Sequence, residues 1–162
     1  MLILRSIAAV VIIVAIWFVG FPALLLSLRV EPFPLRLGAL RMAGAVPLAI
    51  GAWLFLWVTW TFAAIGRGTP LIFDAPTRFV ALGPLRFVRN PMYVGDVLII
   101  LGEALLLESS AILVYGAVFW LALHILVVTL EEPRLRRRFG PSYERYCQQV
   151  PRWVPRAARD VS

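Results

Sequence analysis

"PMYVGDVLIILGEALLLESSAILVYGAVFWLALHILVVTL", residues 91–130, decides the fold of this chain. Its two apolar runs are separated only by "LESS", Leu107 to Ser110. The run after the break, Ser109 to Leu130, carries no formal charge and exceeds the roughly 20 residues needed to cross about 30 Å of hydrocarbon. The run before it, Pro91 to Leu107, is shorter and carries two acids, Asp96 and Glu103. So brief a connection forces the two helices into an antiparallel hairpin. Centred on that turn, Glu103 is level with Val114, Asp96 with Leu121 and Tyr93 with His124. Asp96 and Glu103, seven residues apart, point to the same side of their helix.

Outward from the hairpin, two more stretches lack formal charge, between Arg5 and Arg29 and from Met42 to Gly66. The expectation is an all-α integral membrane protein with about four spanning helices, the third and fourth a tight hairpin, followed by an interfacial helical segment. A chain of 162 residues that is 61% hydrophobic, with mean hydropathy +0.86, is too apolar for a soluble domain. Residues 1–162 read as one membrane domain, with two N-terminal helices in 1–65 and a catalytic region in 66–155. The first apolar run is longer than the about 7 to 15 residues of a secretory signal core, so it is expected to be retained. Pro22 should kink it. The one cysteine, Cys147, allows no internal disulfide.

All sixteen basic residues are arginine, and they concentrate in the second loop and the tail. With four spans these share a side with the N-terminus, which places both termini in the cytoplasm of a bacterial-type inner membrane. The net charge of +7 then reflects topology and contact with anionic lipid rather than nucleic-acid binding.

Four local patterns converge on that side. "GRGTP", Gly66 to Pro70, offers glycines that either cap a helix or let a backbone approach a ligand. "ALGPLRFVRNPMYVG" places Arg89 and Asn90 before Pro91, at a helix N-terminus whose free N–H groups suit an anion. Its plainer reading is an asparagine cap with proline at the first helical position. Glu131 and Glu132 stand at a membrane boundary, where they can bind a ligand or pair with Arg134 to Arg138. "FGPSYERY" brings Tyr143 and Tyr146, which can meet a ligand or anchor in headgroups; Leu135 and Phe139 give the preceding segment an apolar face. Trp53, Trp57 and Trp60 line one face of the second helix, a stripe read as packing or an interfacial belt.

In this order, "GP(x)R(x)VR(x)PMYVG", a helical hairpin and "EEPRLRRRFGPSYERYCQQVPRWVP" resemble the isoprenylcysteine carboxyl methyltransferases and their phospholipid N-methyltransferase relatives. The resemblance covers about Gly66 to Pro155. It implies an enzyme that transfers a methyl group from S-adenosylmethionine (SAM), leaving S-adenosylhomocysteine (SAH), to a lipophilic acceptor such as a prenylcysteine-like carboxylate or a lipid amine. It further implies that the cofactor is lined by Gly66, Gly68, Phe79, Val80, Arg89, Asn90, Pro91, Tyr93, Gly95, Glu131, Glu132, Tyr143 and Tyr146. Glu131, Arg89 and His124 are the expected catalytic residues; no metal is expected, and the remaining partners are membrane lipids.

The physical chemistry agrees. SAM carries a carboxylate, an ammonium, a sulfonium and ribose hydroxyls, so its pocket needs donors for the first and acids for the others. Arg89 and the helix that starts at Pro91 can supply donors, and Glu131 or Glu132 the acid. The chain departs from the resemblance at Asn90, where histidine is common, at Leu85, where tyrosine is common, and at Val127, where prenylcysteine enzymes place a basic residue. An amine acceptor must lose a proton, for which His124 or Asp96 could be the base; a carboxylate acceptor needs none. Two rival readings are a sterol-reductase-like enzyme using NADPH, for which no dinucleotide fingerprint is visible, and a non-catalytic lipid-binding protein.

Overall fold

The computed structural model describes residues 14–61 and 83–155, together with Ile12 and Ala64. Among these residues the chain is helical and has no strand. Helix α1 runs Val14–Leu28, α2 Gly38–Thr61, α3 Pro91–Leu106, α4 Ser110–Leu126, α5 Glu132–Phe139 and α6 Pro141–Gln149. Among the described residues, two uninterrupted helices are long and apolar enough to cross a membrane, Gly38–Thr61 and Ser110–Phe139. The second joins α4 to α5 through a π-helical turn, Val127–Glu131. Helix α1 is a shorter apolar helix, and α3 carries its two acids within 16 residues.

Irregularity in α1 follows from Pro22. The ring removes one N–H and crowds the carbonyl a turn earlier, and the helix is π-wound over Val14–Gly20 before resuming α geometry at Phe21.

The hairpin forms as its sequence requires. Ser109 caps α4, its hydroxyl accepting from the Ile112 N–H at 3.3 Å. At the same closed end Glu31, from the first loop, accepts from the Ser109 hydroxyl at 2.8 Å. It also takes the Ser110 hydroxyl and N–H, both at 2.7 Å, and the Ala111 N–H at 3.2 Å. Those bonds hold its carboxyl below the usual carboxylate range, the Ser110 hydroxyl contributing most. Glu108 returns the contact: with a left-handed φ of 52°, it accepts from the Leu37 N–H at 2.6 Å and the Gly38 N–H at 2.7 Å. The two carboxylates staple the first loop to the hairpin turn.

Helices α2 and α3 approach through glycine. A Cβ on Gly102 would lie 2.7 Å from the Leu48 nitrogen and 2.8 Å from the Gly44 oxygen, and one on Gly51 would lie 2.6 Å from the Gly95 oxygen. The core between α1, α2, α3 and α4 is Phe18, Phe55, Ile100, Ala104 and Ile112, all buried. Trp53 and Trp60 are 59% and 72% exposed, so the tryptophan stripe faces outward as a belt would.

The C-terminal segment packs on itself. Gly140, with φ 53° and ψ −132°, separates α5 from α6 in a conformation suited to glycine. Tyr143, Tyr146 and Val150 are buried against Leu135, Phe139 and Cys147, while Arg134, Arg136, Arg137 and Arg138 stay exposed. This is the amphipathic arrangement expected at an interface.

Candidate active site

The open end of the hairpin gathers most of the residues singled out in the sequence. Gly83–Arg86 forms one tight 3-10 turn, Val88 is buried, and α3 begins at Pro91. Asn90 makes no side-chain cap bond to α3. Its amide instead donates to the Arg152 carbonyl at 3.2 Å, so its side chain is committed to the C-terminal segment.

Arg89 is the hub. Its side chain is 11% exposed, and Nη1 lies 3.0 Å from Glu132 Oε1 and donates to Cys147 Sγ at 2.9 Å. Its Nε is buried with no hydrogen-bond partner. Its backbone N–H donates to the Pro151 carbonyl at 2.9 Å.

Glu132 is fully engaged. Arg152 approaches it through two nitrogens, Nε at 2.6 Å and Nη2 at 3.0 Å, and Arg136 stands 3.9 Å away. Arg136 is the member of the run Arg134 to Arg138 that pairs with it, as adjacency suggested, but the closer partners are Arg89 and Arg152, the latter from beyond α6. Hydrogen bonding to Glu132 holds the Arg152 guanidinium above its ordinary range.

Glu131 points elsewhere. The Tyr93 hydroxyl donates to its Oε1 at 2.6 Å. A π-helical turn carries an extra residue, and the one over Val127–Glu131 lets neighbouring glutamates meet different partners, Tyr93 for one and Arg89 for the other. No pattern in the sequence announced that turn.

Residues 150–155 form a strap over this end. Besides the bonds from Arg89 and Asn90 and the Arg152 pair, Trp153 Nε1 donates to His124 Nδ1 at 3.1 Å. The two rings and that of Trp120 form one aromatic cluster. His124 is thereby held by the strap, its Nδ1 lone pair in use. Tyr146 donates to the Leu85 carbonyl at 2.7 Å, tying α6 to the 3-10 turn, and burial pushes both Tyr143 and Tyr146 above the ordinary tyrosine range.

Arg89, Asn90, Pro91, Tyr93, Glu131, Glu132, Tyr143 and Tyr146 therefore share one end of the molecule. Gly95 faces α2, with the Gly51 oxygen 3.0 Å from where its Cβ would be. Gly66, Gly68, Phe79 and Val80, and the loop that holds them, lie outside the described residues. Cys147, Asn90 and the strap residues Pro151, Arg152 and Trp153 acquire roles that follow from contacts across the fold.

A family model for phospholipid methyltransferases matches residues 40–142, more than half of the chain, including α3, the hairpin and both glutamates. The chain belongs to the phospholipid methyltransferase family. The Delta(14)-sterol reductase LBR of Gallus gallus is 33% identical over 66 residues, which is 40% of this chain. The chain spans only about a tenth of the length of that curated relative. No solved structure matches. The matched stretch carries the helical hairpin together with Arg89, Asn90, Tyr93, Glu131 and Glu132 of the open end.

Proposed function

We propose that this chain transfers a methyl group from SAM to a lipophilic acceptor at the cytoplasmic membrane face, with the cofactor held at the open end of the α3–α4 hairpin. The observation that carries the reading is that one end of the hairpin holds both Arg89, whose buried Nε has no partner, and Glu131, an acid fixed by Tyr93 rather than by an arginine. A zwitterionic cofactor needs such a donor and such an acid.

The donor set fits the cofactor's chemistry. Arg89 and the N-terminus of α3 offer positive charge and free N–H groups to a carboxylate. Glu131 accepts from an ammonium or a ribose hydroxyl, and Tyr93 keeps it oriented. Glu132, with two arginines on it, acts on Arg89 rather than on a ligand, holding the guanidinium in place. The strap lies against these groups, bonded to Arg89, Asn90 and Glu132. When bound, SAM supplies a methyl group already activated on sulfonium, so the protein's work is mainly alignment, worth about 7 to 11 kcal/mol in favourable cases.

A lipid amine is the acceptor this reading favours over a prenylcysteine-like carboxylate. Val127, where prenylcysteine enzymes carry a basic residue, is apolar and 1% exposed, so no cation stands there to hold a carboxylate. The acceptor would enter from the bilayer between helices.

The test is calorimetric titration of the detergent-purified chain with SAH, followed by transfer of labelled methyl from SAM to mixed membrane lipids. Binding of SAH with label in an amine lipid supports the proposal. The sterol reductase match favours one other reading, so NADPH is titrated in parallel. Binding of NADPH alone would overturn the proposal in favour of a reductase, and binding of neither would leave a lipid-binding protein.

A further inference from the structure

Two carboxyl side chains are buried among the described residues, and the fold treats them oppositely. Glu132 is held by Arg89 and Arg152. Asp96, 6% exposed on α3, has an Oδ1 that is buried without any hydrogen-bond partner. Burying a carboxyl group without a partner destabilises the fold, whether the group is charged or neutral. An intramembrane acid left in that state points to a function.

Its position is specific. At 1.5 Å of rise per residue, Asp96 lies about 4.5 Å deeper in the membrane than Tyr93 and nearly one turn on, so the two share a side of α3. Tyr93 is the residue that holds Glu131. Glu103, whose Oε2 is also buried without a partner, lies about 10.5 Å deeper again and is out of reach of the same group. The other ionisable groups on the packed helices are accounted for. Helix α1 has none among its described residues, and α2 has Arg41 at the closed end. On α4, the Tyr115 hydroxyl donates to the Trp17 carbonyl at 3.1 Å, and His124 Nδ1 accepts from Trp153.

We propose that Asp96 is a catalytic residue that takes the proton an amine acceptor must lose before methylation, a proposal that rests on the methyltransferase reading above. The Asp96 carboxylate receives the acceptor's ammonium. An N–H bond breaks as the Asp96 O–H bond forms, and nitrogen keeps the electron pair. That pair forms the new N–C bond to the methyl of the sulfonium donor, while the C–S bond breaks with its electrons left on sulfur as a neutral thioether. The product is again an ammonium, one methyl richer. The proton on Asp96 passes to water at the open end when the product leaves. His124, with its lone pair engaged by the strap, is a positioning residue.

The experiment follows labelled methyl transfer from SAM to vesicles containing an aminophospholipid, from pH 6 to 10, for the full chain and for Asp96→Asn and Asp96→Glu. General-base catalysis contributes about 10² to 10⁴-fold, so Asp96→Asn should lose at least about 100-fold at neutral pH. Its rate should then climb about tenfold per pH unit toward the amine's own pKa, near 10 by analogy with lysine. Asp96→Glu should recover part of the activity and the wild-type profile. Unchanged SAH affinity by calorimetry shows that the variants fold. An Asp96→Asn protein with the wild-type rate, or one slowed equally at every pH, would overturn the proposal while leaving the methyltransferase reading intact. If the wild-type chain labels no amine lipid, the amine acceptor and this proposal fail together, whereas the methyltransferase reading itself fails only if SAH does not bind.

Discussion

Tyr93 and Glu131 meet across the open end of the hairpin, hydroxyl to carboxylate at 2.6 Å. The bond joins the first turn of α3 to the π-helical turn that closes α4, so it fixes the angle between two helices as well as the orientation of one acid.

Replacing Tyr93 by phenylalanine removes that bond and little else. A hydrogen bond to a charged group contributes about 1.5 to 3 kcal/mol, which corresponds to roughly a 10- to 100-fold loss where the acid's placement matters. Tyr93→Phe should weaken SAH binding by about that factor in calorimetry, and Glu131→Gln should do at least the same. Equal affinities in wild type and both variants would remove Glu131 from the cofactor site.

Arg89 and Arg152 bind the same carboxylate but are expected to differ in effect. Arg89→Ala takes away the donor and leaves Glu132 with Arg152, so SAH affinity should fall by about 100-fold or more, as expected when a buried ion pair loses one partner. Arg152→Ala leaves Arg89 in place but loosens the strap, and a loss of about 3- to 10-fold is expected, in keeping with its partial exposure. Side-by-side titrations check the order; a larger loss in Arg152→Ala would make Arg152 the cofactor's partner.

How far this arrangement was legible in the sequence depends on the range of the interactions. The hairpin and the apolar face of α5 rest on contacts within a few residues, and local grammar was enough to find them. The proximity of Arg89, Asn90, Tyr93 and the glutamates was anticipated through the resemblance. The rest depends on distant pairing. Glu132 pairs with Arg136 of the adjacent run at 3.9 Å, yet its closer partners are Arg89 and Arg152, because buried bidentate geometry outweighs a flexible exposed neighbour. Asn90 looked like a helix cap and instead bonds to the strap. Neither the strap nor the π-helical turn has a sequence pattern of its own, and His124 was expected to act on the acceptor while Trp153 occupies its Nδ1.

At the closed end, Glu31 links stability to pH. Its folded pKa lies below the ordinary glutamate value, so its contribution is fully present above that ordinary value, near 4.5, and is lost as pH falls through the lower folded value. Thermal unfolding in detergent should show a Tm that declines in wild type as pH drops below about 5. Glu31→Gln should start lower at neutral pH and lose less over the same range. Parallel curves for the two proteins would mean that the carboxylate does not stabilise the N-terminus of α4.

The glycine contacts between α2 and α3 test the packing that holds the site together. A methyl group on Gly102 would stand 2.5 Å from the Leu48 Cβ and 2.7 Å from its backbone nitrogen, and backbone cannot yield as a long side chain can. Gly102→Ala should therefore push the helices apart and cost about 1 to 3 kcal/mol, read as a lower Tm. Gly38, where nothing lies within 4 Å, is strained for a different reason, its φ of 58°. Gly38→Asn, a residue that tolerates that conformation, should change Tm little. Because Gly95, facing Gly51 on the same seam, follows Tyr93 by two residues, separation of the helices should also displace Tyr93 from Glu131. Gly102→Ala is then expected to weaken SAH binding although it lies far down α3, and a Tm loss with unchanged affinity would show that the open end is braced independently of the seam.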